Sequence, residues 1–197
     1  ACAPYRRLHL CDYNLESISG YDSNNARHKL LAEVCMAALH EGDLIKTHYT
    51  KHKESNHGFH TNICTVLARS FADIGDIVRG KDLFYGNPQE STRRIILKFS
   101  RIYIKKKKDR NLKEGAQKRY EGDDNYYQLR EDWWTANRAT IWEAITCGHP
   151  GGKYFRATCG RGRDATLTQG DCRCISGDVP TYFDYVPQFL RWFEEWA

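Results

Sequence analysis

Residues 59–80 read FHTNICTVLARSFADIGDIVRG, and this stretch decides which class of fold the sequence predicts. Its apolar side chains recur at intervals of three and four residues, which is the spacing of one buried helix face. They are Ile63, Val66, Leu67, Phe71, Ile74, Ile77 and Val78. Gly80 follows the last of them, and glycine is a typical residue after a helix end. The stretch therefore predicts an amphipathic α-helix that ends at Gly80.

Four further segments show the same helical periodicity. The first lies within 24–42, where Asn24 or Asn25 is the expected cap and Gly42 the expected end. Two more lie within 88–108 and 129–147, and in the second of these Trp134, Ile141 and Ile145 align on one apolar face. The last spans 184–197, with Pro187 in its first turn. Its predicted buried side chains are Val186, Phe189, Leu190, Phe193 and Trp196.

The chain of 197 residues contains eight cysteines, spread at wide intervals. An even number at such spacing predicts disulfides and an oxidising compartment, whereas the absence of any Cys-x-x-Cys pair argues against zinc. Three cysteines fall in the glycine-rich segment 148–180, which has no helical period and is expected to be an irregular, disulfide-held connection. The predicted fold is an all-α, disulfide-stapled helical bundle with long irregular loops.

No apolar run is long enough to span a membrane, and the first residues lack the features of a secretory signal. Cys2 follows a single residue, and the last helical segment reaches Ala197 without a stop signal. The chain is therefore expected to be an excerpt of a longer polypeptide. It is long enough to form a core of its own.

The net charge of +5 conceals one strongly basic region. Residues 93–119 hold twelve basic side chains against two acidic ones, so the rest of the chain is mildly acidic. The basic side chains are Arg93, Arg94, Lys98, Arg101, Lys105, Lys106, Lys107, Lys108, Arg110, Lys113, Lys118 and Arg119. Such a run is typical of a nuclear address, a nucleic-acid patch, a sulfated-glycan patch or a solvated loop.

Signatures of catalysis are weak. The histidine cluster His48–His60 resembles a zinc site only superficially, because Tyr49 stands where a zinc protease needs its glutamate base. These histidines are instead expected to face solvent in a polar loop before a helix. Asp73 and Asp76 are spaced as neighbours on a helix face, where pairing with Arg69 or Arg79 is the expected role. No catalytic residue, metal or cofactor is predicted.

Four longer blocks resemble one family. They are CAPYRRLHLCDYNLE (2–16), ICTVLARSFADIGDIVRGKDLFYGN (63–87), REDWWTANRATIWEAITC (130–147) and VPTYFDYVPQFLRWFEEWA (179–197). In this order and spacing they resemble the Duffy-binding-like domains of the Plasmodium falciparum erythrocyte membrane protein 1 family. The block ARSFADIGDIVRGKDLF is most similar to the alpha type, and the beta type shares much of it.

The resemblance implies a fold of α-helical subdomains joined by disulfides. Residues 1–197 would form one partial domain, with about 1–50 ending subdomain 1, about 51–197 forming most of subdomain 2, and the third subdomain absent. Cys64 and Cys159 match positions that the wider family bridges, and Cys35 and Cys147 resemble an additional bridge between two helices. The cysteines left unpaired or unassigned are Cys2 and Cys11, whose family partners lie upstream, together with Cys172 and Cys174.

The resemblance also implies function. It implies a receptor-binding adhesion domain of a variant surface antigen, displayed outside the infected erythrocyte as part of a membrane-anchored protein, and active in cytoadherence or rosetting. The implied partners are protein receptors of erythrocytes or endothelium and sulfated glycans such as heparan sulfate, not nucleic acid. The alternatives are a secreted disulfide-rich scaffold without a receptor role and a zinc-dependent hydrolase using His48–His60. The basic run would then bind a polyanion or form a solvated loop.

Overall fold

The computed structural model of the chain describes residues 2–12, 15, 26–55, 62–84, 120, 123, 127–149, 156–160 and 162–196. Within these residues lie the α-helices α1 (Tyr5–Leu8), α2 (Ala26–Ser55), α3 (Ile63–Arg79), α4 (Tyr127–Ile145) and α5 (Gln188–Trp196). Short 3₁₀ helices cover Gly162–Asp164 and Phe183–Tyr185. The same residues contain two isolated antiparallel bridges but no β-strand. The predicted all-α class is confirmed.

Helix α3 is the central element. The Asn62 side chain accepts a hydrogen bond from the Cys64 N–H at 2.9 Å, which caps the first turn. Gly80 ends the helix with a φ of 73°, in the left-handed region that glycine adopts without strain. Between them almost every side chain from Leu67 to Arg79 is buried. The predicted end of this helix at Gly80 is confirmed.

Helices α3 and α4 pack closely because a glycine faces an indole. A Cβ atom at Gly75 would lie 2.7 Å from Cζ2 of Trp134, so only glycine allows this approach. Phe71 completes the contact, with its ring centroid 5.1 Å from that of Trp134 and 5.2 Å from that of Trp142. Trp134, Ile141 and Ile145 are buried, as the periodicity predicts.

Helix α2 corrects one prediction. It continues through Gly42 to Ser55, so Gly42 does not end it. A Cβ at Gly42 would lie 2.2 Å from the carbonyl oxygen of Ile145, so this glycine permits close contact with the end of α4. Although α2 has 30 residues, neither it nor any other helix in the described ranges is apolar enough over a sufficient length to cross a membrane. The predicted helix within 88–108 lies outside the described residues.

Candidate functional site

A buried cluster of charges fixes how α5 faces the core. The Arg191 guanidinium donates to Asp73 at 2.5 Å and to Asp76 at 2.6 Å, both on α3. One turn earlier, the Gln188 amide donates to Asp82 at 2.6 Å and accepts from the Leu83 N–H at 2.6 Å. All of these side chains except Leu83 are buried. The inward side of α5 therefore presents polar side chains to α3, with Trp192 buried beside them.

Helix α1 joins the same cluster through Arg6. Its guanidinium lies 2.7 Å from Asp73 and makes two hydrogen bonds to Glu195, at 3.0 and 2.8 Å. Burial alone would raise the pKa of Asp73, but Arg6 and Arg191 outweigh it and hold that pKa below its ordinary value. Asp73 thus carries its charge between two cations. The predicted structural role of Asp73 and Asp76 agrees with these contacts, although the arginines involved are Arg6, Arg79 and Arg191 rather than Arg69.

Because α5 turns its polar side inward, its apolar side faces outward. The predicted burial of its apolar residues is therefore wrong: these side chains are all exposed, and they are Val186, Phe189, Leu190, Phe193 and Trp196. The physical reason is that Asp73 and Asp76 need Arg191 as a partner, and a helix can present only one side to them. We call Phe189, Leu190, Phe193 and Trp196 the outer face of α5.

Two exposed tyrosines lie at the 3₁₀ helix before α5, Tyr182 just ahead of it and Tyr185 at its last position. Asp184 is buried and accepts from the Trp134 indole at 2.8 Å and from two nitrogens of Arg138 at 2.9 and 2.8 Å. The same Arg138 guanidinium lies 5.5 Å from the ring centre of Tyr182 and 5.3 Å from that of Tyr185. These are cation–π distances. We call Tyr182 and Tyr185 on Arg138 the tyrosine platform.

A small cavity of about 290 Å³ lies beside the tyrosine platform. Its rim includes Leu83, Tyr185, Val186 and Phe189, which are all exposed. Buried charged side chains of α3 form part of its lining. The cavity connects the tyrosine platform to the start of the outer face of α5.

A larger groove of about 1020 Å³ runs between α1, α2, α3 and the end of α5. His9, His48 and His52 line it, next to aromatic and aliphatic side chains. His48 and His52 lie on α2 and not in a polar loop, which corrects that expectation, while His57 and His60 lie outside the described residues. Among the described side chains, no three His, Cys, Asp or Glu are arranged to hold a metal ion.

Two disulfides hold the long connection between α4 and α5. Cys64 pairs with Cys172, and Cys159 pairs with Cys174. The candidates Cys64 and Cys159 are thus both bridged, and their partners are the two cysteines that the sequence left unassigned. The Cys172 carbonyl also accepts from the Trp142 indole at 3.1 Å, which fixes the connection on α4.

The expected bridge between Cys35 and Cys147 is absent, and both are free thiols, as are Cys2 and Cys11. Helix α4 ends at Ile145, so Cys147 lies in the following turn with its side chain exposed. Cys35 is half-buried on α2, where burial and the nearby Glu143 raise the pKa of its thiol. The two thiols therefore differ in environment, and helix-to-helix pairing is not the arrangement found.

The predicted glycan-binding side chains, Arg93 to Arg119, all lie outside the described residues. Among the described residues, the tyrosine platform and the outer face of α5 are the candidate binding surfaces. Sequence reasoning missed the platform because exposed tyrosines carry no periodic signal. The orientation of α5 did leave a signal in the sequence. The polar residues Gln188, Arg191 and Glu195 share one helix face, with spacing as regular as that of the apolar residues on the other face.

The family model and the solved structures that match this chain indicate the same family. The family model of the Duffy binding domain matches residues 1–191. The NTS-DBL1(alpha-1) domain of Plasmodium falciparum membrane protein 1 (PfEMP1) from the varO strain is 47% identical, with a TM-score of 0.78 over 100% of this chain and 43% of that one. The ICAM-1-binding PfEMP1 IT4var13 DBLbeta domain is 32% identical, with a TM-score of 0.68 over 98% of this chain and 42% of that one.

The chain thus spans less than half the length of these two relatives. The Plasmodium falciparum Erythrocyte Binding Antigen 140 is 21% identical with a TM-score of 0.55 over 99% of this chain and 25% of that one, and it shares the fold. A comparison with curated proteins finds no match. The similarity to the DBL1(alpha-1) domain agrees with the alpha type indicated by the sequence.

Proposed function

Since the chain belongs to the Duffy binding domain family, we propose that it is part of an adhesion domain that binds a protein receptor on host cells. One observation carries the proposal: the whole chain aligns with a PfEMP1 domain at 47% identity. A second PfEMP1 relative is described as binding ICAM-1, which makes ICAM-1 the first receptor to test. The named role of that relative is adhesion and not catalysis.

The finer features of this function are also proposals. The natural protein is displayed on the outer surface of the infected erythrocyte, anchored by a part of the polypeptide outside these residues, and it acts in cytoadherence or rosetting. The 197 residues form one partial domain, with the end of subdomain 1 in about 1–50 and most of subdomain 2 in about 51–197. The coverage of less than half of each longer PfEMP1 domain supports the proposal that this domain is partial.

The tyrosine platform supports receptor binding. Tyrosine, tryptophan and arginine are enriched among the residues that dominate protein interfaces, and tyrosine offers a large contact area for little loss of side-chain entropy. Here Tyr182 and Tyr185 are exposed, Arg138 beneath them is half-buried, and the Asp184 that accepts its hydrogen bonds is buried. A rigid base of this kind lowers the entropy that binding must overcome.

The test is a binding screen of the purified chain against host surface receptors, beginning with ICAM-1. We expect Tyr182→Ser together with Tyr185→Ser to weaken binding about 30-fold, the effect of losing about 2 kcal/mol at a hot spot. Tyr5→Ser is the control, because Tyr5 is more exposed than either platform tyrosine but lies on α1 at the larger groove. A chain that folds but binds no host receptor would support the alternative, a disulfide-rich scaffold without a receptor role.

A second candidate ligand is a sulfated glycan such as heparan sulfate. The twelve basic side chains within 93–119 carry this proposal, because clustered cations gain affinity for any polyanion through counterion release. Replacing Lys105–Lys108 by glutamate should shorten retention on heparin and reduce its dependence on salt. Lys51→Glu with Lys53→Glu, two exposed lysines of α2, is the control. If the variant with Lys105–Lys108 replaced elutes from heparin at the same salt concentration as the parent, the basic run is a solvated loop.

A further inference from the structure

Helix α5 is strongly two-sided and its apolar side faces solvent. Phe189 is 50% exposed, Leu190 48%, Phe193 69% and Trp196 59%. On the opposite side Arg191 is only 2% exposed and Trp192 only 3%. A surface helix of an isolated globular protein normally has the reverse arrangement, with its apolar stripe on the core.

The outer face cannot turn inward. Rotating α5 about its axis would remove Arg191 from Asp73 and Asp76 and would detach Gln188 from Asp82. A buried carboxylate that loses its partner strongly destabilises a fold, and this rotation would take Arg191 away from two of them. The same contacts that hold α5 in place therefore keep its apolar side open.

The exposed apolar surface has the size of the patches that often serve as interaction sites. Aromatic side chains bury about 150–250 Å² each, so four half-exposed apolar side chains leave an apolar patch of about 400 Å². The patch continues past Phe189 to Val186 and Leu83 at the small cavity. Glu194 is exposed on the same helix, so a partner that covers the patch should carry a basic side chain at its edge.

We propose that the outer face of α5 is the seat of an amphipathic helix from the part of the domain that lies outside these 197 residues. Both PfEMP1 relatives have more than half of their length beyond the matched portion, so they contain enough chain for such a helix. A segment joined to this chain acts at an effective concentration in the millimolar range, well above that of a second copy or a receptor. The inference depends on family membership and not on receptor binding.

The test compares Phe193 in two proteins. One is the 197-residue chain, and the other is a hybrid in which this chain replaces the matched residues of the varO NTS-DBL1(alpha-1) domain. With Phe193→Cys, we expect a thiol reagent to label the cysteine at least about tenfold more slowly in the hybrid, because burial protects it. The labelling rate of each protein without the Phe193→Cys substitution gives the background from its native thiols. Ile175→Cys is the control, since Ile175 is 85% exposed outside α5 and should react equally in both.

A second measurement needs no hybrid. The unmatched part of the varO domain is added in trans to the 197-residue chain, and Phe193→Glu should weaken the association at least about tenfold. Equal labelling of Phe193→Cys in both proteins, together with association that ignores Phe193→Glu, would overturn the proposal. A second result would also overturn it: the 197-residue chain forms a dimer that Phe193→Glu dissociates, and Phe193→Cys is labelled as fast in the hybrid as in the chain. The outer face of α5 would then bind a second copy of the chain. Neither result would alter receptor binding at the tyrosine platform.

Discussion

Arg191 reaches across 118 positions of sequence to donate a hydrogen bond to Asp73 at 2.5 Å. This contact ties α5 to the central helix α3 and places a cation against a carboxylate in the core. The same Asp73 also meets Arg6 from α1, so one buried acid joins three helices.

Replacing Arg191 by methionine removes the charge and keeps most of the length of the side chain. Asp73 and Asp76 then lose a partner inside the core, and the free energy of unfolding should fall by about 3–5 kcal/mol. Urea denaturation of both proteins measures the difference. Arg163→Met, at an exposed arginine of the 3₁₀ helix Gly162–Asp164, should change little. If Arg191→Met lowers the free energy of unfolding by less than about 1 kcal/mol, the Arg191–Asp73 pair behaves like a surface salt bridge.

Gly75→Ala tests the close contact between α3 and α4. The added methyl group would lie 2.7 Å from Cζ2 and 2.9 Å from Cε2 of Trp134, so the indole must move. We expect a loss of about 1–3 kcal/mol in the free energy of unfolding, with a changed near-UV circular dichroism spectrum. Gly170→Ala is the control, because no atom lies within 4 Å of its added Cβ. Equal stability of both variants would contradict the packing described here.

The two disulfides should differ in their contributions. Cys64 and Cys172 are separated by 108 positions, and Cys159 and Cys174 by 15. In the chain-entropy account, a loop of about 100 residues gains about 4.7 kcal/mol and one of about 15 gains about 3 kcal/mol. Paired Cys→Ala variants should therefore lower the denaturation midpoint more for Cys64 and Cys172. The opposite order would show that loop entropy does not govern their contribution.

His149 should make the fold sensitive to mild acid. Its side chain is buried beside Gly42, and burial together with Lys46 lowers the pKa of its imidazole, against a smaller opposing effect of Asp43. The unfolded chain then binds more protons than the folded one below the ordinary histidine pKa of about 6.5. Stability is complete above that pH and is lost as pH falls through the lowered folded pKa.

The measurement is the free energy of unfolding between pH 7 and pH 5. We expect His149→Gln to flatten the dependence, which for one group has a slope of at most about 1.4 kcal/mol per pH unit. His40→Gln, at an exposed histidine of α2, should leave the slope of the parent unchanged. If His149→Gln retains the full slope, other groups produce it.

Much of the helical framework could be predicted from the sequence alone. Helix α3 begins after Asn62 and ends at Gly80 because capping and the left-handed conformation are local properties of those residues. The apolar periodicity of α4 also named its buried residues correctly. Gly42 misled the prediction, because a glycine that ends a helix and a glycine that lets two helices touch look alike in sequence.

The candidate site could be predicted only in part. The even number of cysteines indicated disulfides, and two are present, but which cysteines meet depends on how the long connection returns to α3 and α4. Tyr182 and Tyr185 gave no signal, since their position over Arg138 arises from Asp184, a residue buried by the fold.

Sequence by itself determined that this chain is all-α, that α3 is its central apolar helix, and that it resembles the Duffy-binding-like domains. These features follow from local periodicity, capping residues and long matching blocks. Only the tertiary structure decided which side of α5 faces the core. Apolar burial favours one orientation of that helix, whereas the buried charges of Asp73 and Asp76 require the other. The observed orientation keeps Arg191 on both carboxylates, because a buried carboxylate that loses its partner destabilises a fold by about 3–5 kcal/mol.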